Sequence, residues 1–197
     1  MTAFTEIRFI NQAEERIPPD VVLFQTLPGT GPPIVWMVIR GCGYGHEQKI
    51  SMAPLTLTAR TPEGHFLPET LLDSAPRSAD SAGMIRIRTS GEKANILNRS
   101  PDHFLRPALF RAHRLLALGP VIGPGEAHTI SVHARLMAAV SSLPRAQEGR
   151  MVPKDLVAGA KPIDLTRIRK ADLSLVGGGY GSRALPYSLM ITSNKSP

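Results

Sequence analysis

The chain has 197 residues, 42% hydrophobic and 20% charged, which places it among globular chains of one domain, or at most two small ones, long enough to bury a core. Its single cysteine, Cys42, excludes an intramolecular disulfide and with it a stapled secreted module. No basic leader and no run of about 18 apolar residues is visible, so a cytoplasmic protein without a membrane span is expected. The net charge of +7 is uneven, because residues 1–76 carry 5 Lys/Arg against 8 Asp/Glu and residues 77–197 carry 18 against 8. Such a layout suits an anionic ligand, nucleic acid or an acidic partner, or simply a solvated arginine face.

Proline and glycine punctuate the length, with short apolar runs between them. "IRFINQ" alternates Ile7 and Phe9 inward with Arg8 outward, and "DVVLFQ" follows the turn-like "RIPPD". "PIVWMVIR" is continuously apolar from Ile34 to Ile39 and predicts a central strand buried on both faces. "KISMAPLTLTAR" alternates, with Pro54 marking a bulge, a bend or an edge. "MIRIRTSG" sets Ile85 and Ile87 against Arg86 and Arg88, and "HTISVHARL" sets Ile130 and Val132 against Thr129 and Ser131. "ADLSLV" and "YSLMIT" predict the last strands. "DHFLRPALFRAHRLLALG" fits a basic amphipathic helix or a β-hairpin, and Pro107 disfavours the helix unless it sits in the first turn. Residues 141–164 have no period and read as a long covering loop with room for one helical turn. No internal repeat of fixed period is visible.

The order of fragments "FINQ…DVVLFQ…VWMVIRGCGYGH", "TPEGHFLPE", "GPGEAHTISV", "EGRMV" and "ADLSLVGGGYGSRALPYSLMI" resembles the RhiA-type proteins, the rhizosphere-expressed proteins of rhizobia and their bacterial relatives, over approximately residues 7–191. The resemblance implies a cytoplasmic β-rich bacterial protein, with residues 103–118 as a hairpin strand and its turn. It brings no catalytic residues, and the heavier arginine content here leaves a shared ligand open.

"VGGGYGSRALPYS" invites comparison with a phosphate-binding loop. Such a loop needs a helix after it to supply N–H donors, whereas Pro186 and "YSLMIT" predict a strand, and no Walker-type Lys-Ser/Thr pair is present. Gly177, Gly178 and Gly179 therefore fit a hairpin with left-handed backbone. Gly43-Tyr44-Gly45 and Gly179-Tyr180-Gly181 are alike. If the two turns meet, Tyr44, His46, Tyr180 and Arg183 line one ligand pocket, with His46 or Tyr44 as candidate catalytic group and Arg183 as a carboxylate anchor. Cys42, four residues before His46, lacks a visible orienting group. His46, His65, His103, His113, His128 and His133 form no metal motif, so neither metal nor cofactor is expected. Arg86, Arg88, Arg99, Arg106, Arg111 and Arg114 could line a nucleic-acid stripe, but aromatics for stacking are few and nucleic acid is disfavoured.

The expectation is an all-β, mainly antiparallel sandwich in a single domain, 1–197, with a long covering loop and room for one short helix. Its expected role is non-catalytic binding of a small anionic molecule or a protein partner. A cofactor-independent isomerase or hydrolase with His46 as acid or base is the alternative, and a homo-oligomer is compatible with exposed strand edges.

Overall fold

A computed structural model describes residues 5–14, 18–72, 77–90, 92–132, 135–142, 146–164, 170–179, 182 and 184–194. The fold is all-β. Its strands are Thr5–Asn11 (β1), Asp20–Gln25 (β2), Val35–Ile39 (β3), Glu47–Met52 (β4), Leu55–Arg60 (β5), Thr70–Leu72 (β6), Arg77–Ser81 (β7) and Ile85–Ser90 (β8). They continue as Lys93–Asn98 (β9), Arg106–Arg111 (β10), Arg114–Leu118 (β11), Ala127–Ser131 (β12), Arg135–Ser141 (β13), Lys161–Asp164 (β14), Lys170–Gly178 (β15) and Leu185–Asn194 (β16). One short helix, α1, spans Lys154–Gly159. No helix among the described residues is long and apolar enough to cross a membrane.

The chain groups into two compact units. The middle unit takes residues 26–34 and 53–133 and contains sheets β11-β10-β5-β6 and β12-β9-β8-β7. The terminal unit takes residues 3–25, 35–52 and 134–197 and contains sheets β16-β15-β1-β4 and β14-β13-β2-β3. Among the described residues all strand pairings are antiparallel except β1 with β15. Alternation decides which face turns inward: Ile7 and Phe9 of β1 are buried, as are Ile85 and Ile87 of β8 and Leu173 and Leu175 of β15.

Several predicted strands prove to be divided or displaced. "KISMAPLTLTAR" breaks at Ala53–Pro54 into β4 and β5, which belong to different sheets. "HTISVHARL" likewise divides into β12 and β13. "DHFLRPALFRAHRLLALG" is the hairpin β10–β11, not a helix, because its apolar residues face two buried surfaces of a sheet. β3 is an edge strand rather than a central one. It pairs with β2 alone in its sheet, and its open side is closed by Val35 N–H to Arg150 O (2.8 Å) and Gly149 N–H to Val35 O (2.9 Å). The predicted covering segment covers in its middle, where Ala146, Val152 and, from α1, Leu156 bury with Val22, Phe24, Val35 and Ala139, but its end is not loop: Lys161–Asp164 is β14, paired with β13.

The pairings also expose a duplication. β1 pairs with β4 and β2 with β3, just as β9 pairs with β12 and β10 with β11. β5 lies between β10 and β6, as β13 lies between β2 and β14. In sequence, "EGHFLP" (63–68) repeats as "EGRMVP" (148–153), with left-handed glycine at Gly64 (φ 94°) and Gly149 (φ 77°). Phe66 stacks edge-on against Phe110, with ring centroids 5.1 Å apart, over the back of β10. Phe24, the counterpart of Phe110, is covered in turn by Val152. The spacing drifts from 87 (Asn11 to Asn98) to 80 (Gly43 to Gly123) and 85 (Glu63 to Glu148), which hides the repeat from a search at fixed period. The correspondence runs over β1–β6 and β9–β14 and stops there, since β8 pairs antiparallel with β9 whereas β15 pairs parallel with β1; each unit combines strands of the first half of one repeat with strands of the second half of the other.

The β10–β11 turn places non-glycine residues, Ala112 (φ 50°) and His113 (φ 59°), in the left-handed region that a two-residue hairpin requires. Replacing them with the favoured pair, Ala112→Asn with His113→Gly, should stabilise the chain by about 1 kcal/mol, read as a higher urea midpoint at unchanged slope.

Candidate functional site

The inward positions of β1 run Ile7, Phe9, Asn11, so alternation carries a carboxamide into the core, where Asn11 is fully buried. A buried amide has to be hydrogen-bonded. The Asn11 Nδ2 donates to Cys42 O (2.5 Å), and its Oδ1 accepts from the Ala13 N–H (2.9 Å). Its backbone N–H donates to His46 O (3.1 Å), and its carbonyl accepts from Gly45 N–H (2.7 Å). His46 N–H closes the loop onto Gly43 O (3.0 Å). Tyr44 is thereby held at the tip of a pinned turn while remaining 64% exposed.

His46 is exposed, and its ring lies beside Gly43. Cys42 sets its Sγ 3.5 Å from the His46 carbonyl, not the ring, and burial pushes its thiol above the ordinary range. The thiol therefore stays protonated near neutral pH, and the pair is not arranged as a nucleophile with its base.

The other glycine turn flanks the same strand end. Beyond Asn11, Gln12 N–H donates to Leu175 O (2.8 Å) and Glu14 N–H to Gly177 O (3.2 Å), extending the parallel ladder to the end of β15. Gly177, Gly178 and Gly179 have φ of 102°, 80° and 98°, and a Cβ at Gly177 would overlap the Pro186 carbonyl. The stretch is thus the β15–β16 hairpin, with a register shift after Val176, and not the entrance to a helix. β4 and β15 sit on opposite sides of β1, so the two glycine turns leave one end of one sheet about 10 Å apart. Tyr180 and Arg183 lie outside the described residues.

The middle unit carries the same device, which sequence reasoning missed. Asn98, at the end of β9, is fully buried. Its Nδ2 donates to Ile122 O (3.1 Å) and His103 O (2.8 Å), and its Oδ1 accepts from Ser100 N–H (2.9 Å). Asn98 N–H donates to Glu126 O (2.9 Å), Gly125 N–H to Asn98 O (3.0 Å), and Glu126 N–H to Gly123 O (3.0 Å). Gly123-Pro124-Gly125 is therefore the structural counterpart of Gly43-Tyr44-Gly45. The legible signal is an asparagine at an inward position, paired with a G-x-G turn before "KIS" or "TIS".

The remaining candidates disperse. His128 Nε2 meets Gly29 O (2.6 Å), and His103 Nδ1 meets Ser100 Oγ (3.1 Å) within a local turn. His65 and His113 are exposed, and His133 lies outside the described residues. Among the described residues no three His, Cys, Asp or Glu side chains converge as metal ligands. The arginines form no single open stripe. Arg86 and Arg99 both pair with Asp80, Arg106 donates to Gly119 O, and Arg111 is buried, donating to Ala53 O (2.6 Å), with burial lowering it to about 10. On the outer face of the terminal unit, Arg8 grips both oxygens of Asp172 (3.0 and 2.7 Å) and reaches Glu47 at 3.5 Å. The hydrogen bond from Arg8 holds the Asp172 carboxyl below its ordinary range.

Asn11→Ala and Asn98→Ala should each destabilise the chain by about 2–4 kcal/mol in urea unfolding, because each strands buried partners. Asn11→Ala should also speed amide exchange over residues 42–46. Since the Asp172 carboxyl is depressed, its contribution is present above the ordinary carboxylate value of about 4 and lost as pH falls through the folded value. Arg8→Ala should therefore flatten the loss of stability between neutral and acid pH. Compared with family models, curated proteins and solved structures, the chain matches none.

Proposed function

We propose that the protein is a non-catalytic, RhiA-type binding protein that holds a small anionic ligand or a protein partner at the turn cluster beside the C-terminal end of β1. Tyr44, His46 and Gly177–Gly179 form the described part of this surface. The observation that carries the reading is the combination at Tyr44: a side chain 64% exposed, on a loop whose backbone is pinned by a buried asparagine. Ordering a loop is a large cost of association, and a loop already ordered avoids it. An aromatic tip held this way is the residue type that dominates binding surfaces. The protonated Cys42 and a His46 ring facing solvent support binding over bond-breaking chemistry.

Native mass spectrometry of the chain isolated from its own host tests the reading. A retained ligand or partner is expected, lost on Tyr44→Ala at unchanged melting temperature. Retention of nothing, or retention indifferent to both Tyr44→Ala and His46→Ala, would count against it.

A further inference from the structure

Four open sheets have eight edge strands, and an unguarded edge is a template for another strand. Seven of these edges carry a recognisable guard. β3 is closed by residues 148–150. The segment 26–34 seals two edges of the middle unit, with Gly31 N–H on Leu118 O (2.8 Å) of β11 and Ser131 N–H of β12 on Pro28 O (3.3 Å). There Gly29 comes so close to β12 that a Cβ would lie 2.7 Å from Thr129 O. β6 has three residues, and β14 has four with Pro162 among them. β4 presents Glu47 and Lys49, and β7 presents Asp80.

β16 is different. It is the longest strand among the described residues, ten residues; its one proline, Pro186, stands second, next to the β15–β16 turn, and the eight residues after it contain no Pro, Asp, Glu, Lys or Arg. Met190 is 56% exposed, and Ile191, on the core-facing side in register with Leu173, is 37% exposed. Lys170 and Asp172 of β15 lie opposite Asn194 and Thr192, and Lys161 of β14 reaches Ser188 Oγ (2.9 Å) and Leu189 O (3.1 Å). That contact shows that the Leu189 carbonyl points away from β15. By alternation the backbone groups of Ile191 point the same way, and those of Met190 point towards β15.

We propose that β16 is a homodimer interface, pairing antiparallel with β16 of a second copy about a two-fold axis at Met190. A two-fold places residues near the axis against themselves or their neighbours, so any charge there would meet its own kind. The sequence of β16 avoids this. With the axis at Met190, Leu189 faces Ile191 of the other copy, Ser188 faces Thr192, and Met190 faces Met190. Apolar residues meet apolar and hydroxyl meets hydroxyl, and the exposed Ile191 gains cover. Leu189 and Ile191 exchange the new backbone hydrogen bonds. The Leu189 carbonyl has a second lone pair to offer, and Lys161 is free to retain or release the first.

Sedimentation and light scattering of the full chain at about 100 μM should give twice the 21.3 kDa chain mass. Met190→Lys should weaken the dimer by about tenfold or more with circular dichroism and melting temperature retained. In a Cys42→Ser background, Met190→Cys should crosslink two copies on mild oxidation, since facing residues of a non-hydrogen-bonded antiparallel pair have Cα atoms about 4.5 Å apart. Ser51→Cys, on the edge strand β4, should not. A monomer at that concentration, a dimer indifferent to Met190→Lys, or equal crosslinking from Ser51→Cys would overturn the proposal.

Discussion

A carboxamide carried into a core by strand alternation has to be satisfied by the chain around it. At Asn11 that demand organises one end of the terminal unit. The same side chain fixes the exit of β1 through Ala13 and the β3–β4 connection through Cys42, while its backbone takes Gly45 and His46. The candidate surface is therefore not a set of loops that happen to be near one another. It is the outside of a hydrogen-bonded knot whose inside is a buried asparagine. Asn98 repeats the arrangement with Ser100, Ile122, Gly125 and Glu126. Two such knots, at equivalent strand ends, mark the device as part of the scaffold, and leave the residue at the tip free to differ: Tyr44 in one copy, Pro124 in the other.

Departures from the repeat are informative in the same way. Where β10 and β11 are joined by two residues, β2 and β3 are joined by residues 26–34, which hydrogen-bond along β11 and β12. Where "PETLL" runs directly into the short strand β6, the matching "PKDLVAG" forms α1 before β14, the counterpart of β6, with Asp155 in the first turn favouring the helix. Leu156 of that helix fills space over Val22 and Phe24. The two copies thus share a framework and differ in what each lays over a sheet back or a sheet edge.

The all-β class and most strand positions were legible from alternation, as in "IRFINQ" and "MIRIRTSG", because period-two burial is a local property. β3 misled because a continuous apolar run means burial on both faces, and an edge strand can have that too: residues 149–150 close its edge, while Val35 and Val38 pack with Ala146, Val152 and Leu156. The duplication was hidden by its drifting spacing and by side chains that changed while the pairing stayed. Of the site, Tyr44, His46 and the glycines were legible as turn chemistry. Asn11 was not, since nothing local distinguishes an asparagine that ends a strand in solvent from one that ends it in the core. The two glycine turns share a sheet end only because β15 lies parallel to β1, a pairing between residues 164 apart in sequence at Arg8 and Asp172.

That long pairing has a consequence for the order in which the molecule can assemble. Strands β5–β12 are contiguous, so sheet β12-β9-β8-β7 and its companion can close as soon as residues 53–132 are available. β1 can meet β4 early, but its other neighbour, β15, is among the last strands made. Contacts of high sequence separation form slowly, and an unpaired strand is exposed to wrong partners meanwhile. The exchange of halves between the two repeats thus gives the nascent chain a waiting period, during which one side of β1 is open. The outward residues it shows are Glu6 and Arg8, charges that discourage premature pairing and later meet their partners on β15.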